Sequence, residues 1–254
     1  METESKIVYD DWDVYFTDRH NVPMTISFDD GIARGDRPLE LNLCARIIIH
    51  IKETKEGSSI PVQPESDLLY RMEDEITEQL QSSKVKCRLV GRMTYDGLRE
   101  IVFQVGEIES FRPIVGRWIQ GHKEYEIGVS EHDGWGFFDD FIQPNEADRR
   151  NMAEQRTIDN LIENGSDPDL PHSLEYCFRG KRNVLESIVD TLIHKGYRLL
   201  EEQNLDEGRV VLSKSMTLDK RSISAESESN EALAHQLGGE LDGWGALVVS
   251  KKNA

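Results

Sequence analysis

Apolar side chains recur along this chain with two periods, two residues and about 3.6, and the switches between them mark the elements. Trp12, Val14 and Phe16 alternate with polar positions, a polar turn Asp18–Asn21 follows, and Val22, Met24, Ile26 and Phe28 alternate again, so residues 12–28 read as a hairpin. FDDG, with Gly31 and Gly35, breaks that pattern. Leu39, Leu41, Leu43, Ala45, Ile47, Ile49 and Ile51 then fall on odd positions, which puts them on one face of a strand. Gly57–Pro64 reads as loop, with Ser58, Ser59 and two prolines. A helix is expected from about Ser66, where Leu68, Leu69, Met72, Ile76 and Leu80 recur at helical spacing and Asp67 lies where the helix dipole favours an anion. Strands Cys87–Tyr95 and Glu100–Val105 join through Asp96-Gly97, and Phe111, Ile114, Val115, Trp118 and Ile119 form one face of a second helix. Tyr125, Ile127 and Val129 alternate into DGWG and the aromatic run Phe137, Phe138, Phe141.

The second half repeats the order. After a boundary at Gln143–Asn145, Arg150–Asn164 reads as a connecting helix with Met152, Ile158, Leu161 and Ile162 on one side, closed by Gly165. SDPD makes a rigid turn, and Leu174, Tyr176 and Phe178 alternate as a strand. Asn183 with Glu186 reads as a capping box opening a helix through Val184, Ile188, Leu192 and Ile193, ended by Lys195 and Gly196. Tyr197–Leu200 and Arg209–Leu218 form a hairpin around Asp206–Gly208, and a helix over roughly Ala225–Leu237 stops at Gly238-Gly239.

DGWG occurs twice, at Asp133–Gly136 and Asp242–Gly245, and each copy is read as opening the last strand of its unit. Asp-Gly signals a turn, and Trp is a large apolar anchor. The expected fold is α+β, two ferredoxin-like (βαββαβ) domains in tandem, the first with an extra N-terminal β-hairpin. The expected domains are residues 1–145 and 146–254.

The charge is unevenly placed. Of a net −18, residues 1–147 carry −13, with 16 basic against 29 acidic residues, and residues 148–254 carry −5, with 14 against 19. An acidic surface repels phosphate backbones, so direct nucleic-acid binding by the first half is not expected, whereas a basic protein surface would be attracted. No apolar run reaches the ~18–20 residues that span a bilayer, and METESKIVYDDWD has neither the basic nor the apolar stretch of a secretory signal. Cys44, Cys87 and Cys177, odd in number and widely spaced, suit free thiols in a reducing cytoplasm rather than a disulfide framework or metal site.

IENGSDPD (Ile162–Asp169), SLEYCF (Ser173–Phe178) with its helix ending in GYRL, and LDGWG (Leu241–Gly245) carry a resemblance. With these blocks the second half, from about Asn151 to Val249, resembles the regulator of ribonuclease activity B family. The resemblance implies a ferredoxin-like domain that acts by protein–protein contact, binding ribonuclease E and modulating its action on RNA, with no catalysis of its own. DWDVYF, PMTISFDDGI and IVGRWI resemble an uncharacterised domain family found fused ahead of such regulators. Stand-alone regulators continue past the Trp strand into a long acidic tail, where this sequence has SKKNA. If that tail helps bind the ribonuclease, the acidic first domain is the candidate to substitute for it.

The candidate partner-binding residues are Asp167, Asp169, Asp242, Trp244, Asp133 and Trp135. Trp135 and Trp244 read either as partner anchors, exposed Trp being a preferred hot spot, or as scaffold rings fixing the last strand. Asp167 and Asp169, around Pro168, either meet a cation or basic partner or cap a turn. Asp139, Asp140, Glu146 and Asp148 read as a solvated linker face. For an enzyme the candidates are His132 and His172, on loops, or Cys177; HExxH, a Gly-rich phosphate loop, GxSxG and CxxC do not occur. Three classes compete: a non-catalytic regulator bound to a ribonuclease or another protein, a small-molecule or peptide-binding module using the cleft between the two units, and an enzyme without a known motif. The expectation is the first, cytoplasmic and with no cofactor or metal.

Overall fold

In the computed structural model, residues 11–19, 22–56, 58, 60–201 and 207–251 are described. His20, Asn21 and Asp206 of the expected turns, loop residues Gly57 and Ser59, the start METESKIVYD and residues 252–254 lie outside them. The chain divides into two units, Met1–Arg149 and Arg150–Ala254, both mixed α+β with antiparallel sheets. The first contains β1 (Trp12–Arg19), β2 (Val22–Asp29), the single turn α1 (Asp30–Ala33), β3 (Leu43–His50), α2 (Gln63–Ser82), β4 (Cys87–Tyr95), β5 (Leu98–Val105), α3 (Ile108–Gly121), β6 (Ile127–Asp133) and a π-helical turn Phe138–Ile142. Helix α4 (Glu146–Glu163) spans the division. Then come β7 (His172–Arg179), α5 (Arg182–His194), β8 (Arg198–Glu201), β9 (Arg209–Met216), α6 (Lys220–Leu237) and β10 (Glu240–Gly245).

The first sheet has the order β1-β2-β4-β5-β3-β6 and the second β10-β7-β9-β8. Counted from its closing strand, each unit runs last, first, third, second, and the hairpin β1–β2 extends the first sheet beyond β4. The alternation in β3 explains its central place: Ala45, Ile47 and Ile49 are fully buried and face Leu69, Met72 and Ile76 of α2 and Phe111 and Trp118 of α3. In the second unit Leu174, Tyr176 and Phe178 of β7 play that part, against Leu185, Ile188 and Leu192 of α5 and Ile223 and Ala234 of α6.

The other face of the first sheet has a cover that the pattern did not reveal. The aromatic run folds into the π-turn, burying Phe138 and Ile142, and the Tyr15 hydroxyl donates to the Ile142 carbonyl at 2.9 Å. Tyr15 is therefore the buried residue of β1, while Val14 and Phe16 of the alternating apolar set are 48% and 65% exposed. Gly91 lets the turn sit down, since a Cβ there would lie 2.6 Å from Ile142 Cδ1 and 2.8 Å from its Cγ2. Gly91→Ala should cost about 1–3 kcal/mol by overpacking. Urea midpoints check it, and a neutral result would mean that the turn shifts freely.

Several boundaries differ from expectation for local reasons. Helix α2 begins at Gln63, because Pro64 fits the first turn, where its missing N–H is no loss. Asn183 does not cap α5; Lys181 holds the cap position, and Glu186 pairs with Arg182 at 3.0 Å. Helix α6 starts at Lys220, capped by Asp219 accepting from Ser222 N–H at 2.9 Å. Asp148 belongs to no solvated face. It is buried, and it exchanges hydrogen bonds with Asn145 in a reciprocal cap at the start of α4. Ile162 and Ile193 point outward.

Candidate partner-binding site

Neither DGWG copy opens a strand, and the two copies adopt different conformations. Asp133 is the last residue of β6; Gly134, at φ +68°, turns the chain, and its N–H donates to the Asn42 carbonyl at 2.7 Å. Trp135 then lies edge-on to Phe138 at 5.9 Å, with the Arg37 guanidinium over its ring at 5.1 Å. Arg37 is held by Asp139 at 2.5 Å and by Gln143 at 3.0 Å. Trp135 is thus half-buried in a turn, beside an exposed Asp133.

The second copy ends β10. Gly243 has φ +129°, a region open to glycine, and the pairing with β7 slips between Leu241 and Gly243. The bulge leaves Asp242 without a cross-strand partner, and its carboxylate accepts from Arg179 Nη2 at 2.7 Å. That pairing holds the Arg179 guanidinium above its ordinary range. Past the bulge, Trp244 lies opposite the fully buried Tyr176 and packs on the core of the unit.

Period two places Glu175, Cys177 and Arg179 on the face of β7 opposite to Leu174, Tyr176 and Phe178. On that face the Cys177 thiol approaches Asp242 at 3.8 Å and receives Arg209 Nε–H at 2.9 Å. Glu175, Cys177, Arg209 and Asp242 line a shallow cavity of about 340 Å³ with Val211, Gly243 and Trp244. Arg179 and Arg209 were not singled out in the sequence, although the alternation of β7 could have flagged Arg179.

The SDPD turn ties the unit together. Asp167 accepts the Asp169 N–H at 3.1 Å and Lys251 Nζ at 2.8 Å, and the Lys251 contact, then the N–H, hold its carboxyl below the usual range. The backbone N–H of Asp167 donates to the Val249 carbonyl at 2.9 Å, and Leu218 N–H to the Pro168 carbonyl at 3.0 Å. The turn is therefore joined to the segment just beyond β10, with Asp169 exposed at its tip.

The enzyme candidates do not converge. His132 stacks on Phe137 at 5.6 Å in the first unit. His172, expected on an exposed loop, is fully buried at the start of β7 with Nδ1 at 2.8 Å from the Leu170 carbonyl. All three cysteines are free, and burial pushes the Cys44 thiol up to about 12 and the Cys87 thiol to about 11. Among the described residues no group of three His, Cys, Asp or Glu could hold a metal ion, and no helix is long and apolar enough to cross a membrane.

Residues 151–246 match the family model "Regulator of ribonuclease activity B", and residues 10–143 match a family of unknown function, DUF695. A regulator of ribonuclease activity B from Pseudoalteromonas atlantica is 32% identical over 102 residues, 37% of this chain and 87% of the relative. One from Proteus mirabilis is 30% identical over 111 residues, 39% of this chain and 78% of the relative. The chain belongs to both families. The regulator family supplies the second unit, including the SDPD turn, the open face of β7 and the β10 bulge, and DUF695 supplies the first. The regulator family is named for regulation rather than catalysis, in keeping with the non-catalytic reading. The crystal structure of an unknown protein from Galdieria sulphuraria aligns with 82% of this chain and 99% of that one at 9% identity, with a TM-score of 0.21, a likeness that carries no argument.

Proposed function

We propose that this protein is a non-catalytic cytoplasmic regulator, built of two ferredoxin-like domains, residues 1–145 and 146–254, whose C-terminal domain docks on a ribonuclease of the ribonuclease E kind. The observation that carries the reading is the membership of residues 151–246 in the regulator of ribonuclease activity B family. The strand orders support the shared fold. For the docking surface we assign the open face of β7, where Asp242 and Arg209 line a shallow cavity with Trp244 and Arg179 pairs with Asp242. Asp167 and Asp169 lie on the turn joined to the same end of the chain, whereas Asp133 and Trp135 belong to the other domain and lack that setting.

The acidic first domain tunes the docking. An acidic surface approaching a basic one associates faster at low salt, and the gain fades as the Debye length falls from about 10 Å at 0.1 M to about 3 Å at 1 M. Association with ribonuclease E, measured for the full chain at several salt concentrations, should slow as salt rises. Removing residues 1–145 should slow it further at low salt and flatten the salt dependence, while Arg179→Glu in the full chain should speed dissociation about tenfold. No binding by either protein would reject the partner; identical salt slopes would reject the role of the acidic domain.

A further inference from the structure

The hairpin widens the first sheet past its helical cover, and an open trough results. Helices α2 and α3 pack over β3 and β5, and the core they form includes no residue of β1. Between α2 and the hairpin is a cavity of about 700 Å³, with Trp12, Val14 and Leu89 on one side and Asp74 and Glu78 of α2 on the other. Phe16, two positions along from Val14 and 65% exposed, continues the apolar stripe. Strand β1 is also the edge of its sheet, so a row of backbone donors and acceptors runs beside that stripe.

The charge around the trough is one-sided. Asp13, Glu73, Asp74 and Glu78 line it, with Arg92 as the one basic side chain among the described residues there, in a unit whose residues 1–147 carry a net −13. At its inner end Glu73 is 6% exposed. One of its carboxylate oxygens accepts Arg92 Nη1 at 2.6 Å, while the other is buried with no hydrogen-bond partner. Burial pushes the Glu73 carboxyl above its ordinary range against the pull of Arg92, so a further donor or cation there would relieve a desolvated acceptor.

We propose that this trough binds an extended, lysine- or arginine-bearing segment of a partner protein. Its apolar side chains lie on Trp12 and Val14, and its cations stand against Asp74 and Glu78, with the buried Glu73 adding to the negative field beneath them. An extended segment satisfies both features at once, since it can add to the β1 edge while alternate side chains enter the trough. Charge complementarity selects a basic occupant over an acidic one. The site lies in the DUF695 unit and does not rest on the ribonuclease reading.

The test uses the full chain and labelled ten-residue peptides followed by fluorescence anisotropy, one alternating Lys with Leu and one alternating Glu with Leu. The lysine peptide should bind at least about tenfold more tightly than the glutamate peptide, and should weaken as salt rises from about 0.1 to 1 M. Asp74→Asn combined with Glu78→Gln, both at exposed positions, should weaken it about tenfold with the melting temperature unchanged. Val14→Ser should weaken it comparably. Because Glu73→Gln unbalances Arg92 and could unfold the unit, the exposed pair decides. Equal affinity for the two peptides, or no loss in the exposed pair, would overturn the proposal. So would a self-associated chain whose dimer excludes the peptide and survives the double substitution, or a protein lacking residues 1–10 that binds about tenfold more tightly. Those two outcomes would give the trough to a second copy or to the chain's own N-terminus.

Discussion

Glu100→Ala should destabilise the first unit by about 3–5 kcal/mol, the cost of leaving the largely buried Arg46 cation without its partner. The Glu100 carboxylate is 1% exposed. It accepts Arg46 Nη1 at 2.8 Å and also the Tyr95 hydroxyl. Burial, then the hydrogen bond to this carboxylate, push that hydroxyl well above the ordinary tyrosine range. Arg46 in turn donates to Ser130 at 3.1 Å and lies under the Phe137 ring at 4.2 Å, with its Nε already buried and unpartnered. Removing the carboxylate alone strands the cation beneath the Phe137 ring. Replacing both partners, Arg46→Met with Glu100→Leu, should recover most of the loss, because a well-packed apolar pair needs no compensation. Urea midpoints for the single and double variants check this. A double variant no better than Glu100→Ala would place the cost in packing rather than in the unpaired charge.

Trp244→Ala should cost the second unit about 2–4 kcal/mol, somewhat under the ~3–5 of a fully buried tryptophan, because the ring is only partly buried beside the cavity. Trp135→Ala should cost the first unit less, about 1–2 kcal/mol, since its ring covers a turn and its main specific contact is with the Arg37 guanidinium. The two units can melt separately, so each value belongs to the transition of its own unit. Hydrogen exchange resolved by segment assigns the loss. A Trp244→Ala protein as stable as the parent, with weakened ribonuclease binding, would move that ring from scaffold to docking surface.

The elements most legible in the sequence are those whose neighbours lie close along the chain. The odd positions from Leu43 to Ile49 lie in β3 as periodicity indicates, although Leu39, expected on the same face, is 95% exposed ahead of the strand. The faces of α2 and α3 also emerged from periodicity, and Asp96-Gly97 marked a tight turn that the backbone makes with positive φ at both residues. Where distant packing decides, the sequence was silent or misleading. Trp12, Val14 and Phe16 form a true apolar stripe, but Tyr15 is drawn inward by a carbonyl 127 positions away, and the stripe is left outside. Asn183 and Glu186 have the spacing of a capping box, yet only Gly180 and Lys181 lie between β7 and α5, so the helix has begun before Asn183. The identical DGWG letters conceal a turn in one unit and a bulge in the other, because φ at a glycine is set by what surrounds it. The face with Arg179 and Arg209 was half legible: alternation predicts an outward Arg179, but the bulge that turns Asp242 toward it has no signature in four letters.

The place of β3 between β5 and β6 has a consequence for how this protein is made. During synthesis the strand LCARIIIH is complete at His50, whereas the partner for its second edge begins at Ile127. At about 5–20 residues per second, that edge waits on the order of 4–15 s on the ribosome, with the cover from Phe138 to Ile142 arriving last. Apolar strands held open that long are where nascent chains stick to one another. Arg46, set in the middle of the run, interrupts it with a charge during that interval, and the same guanidinium later closes the ion pair with Glu100.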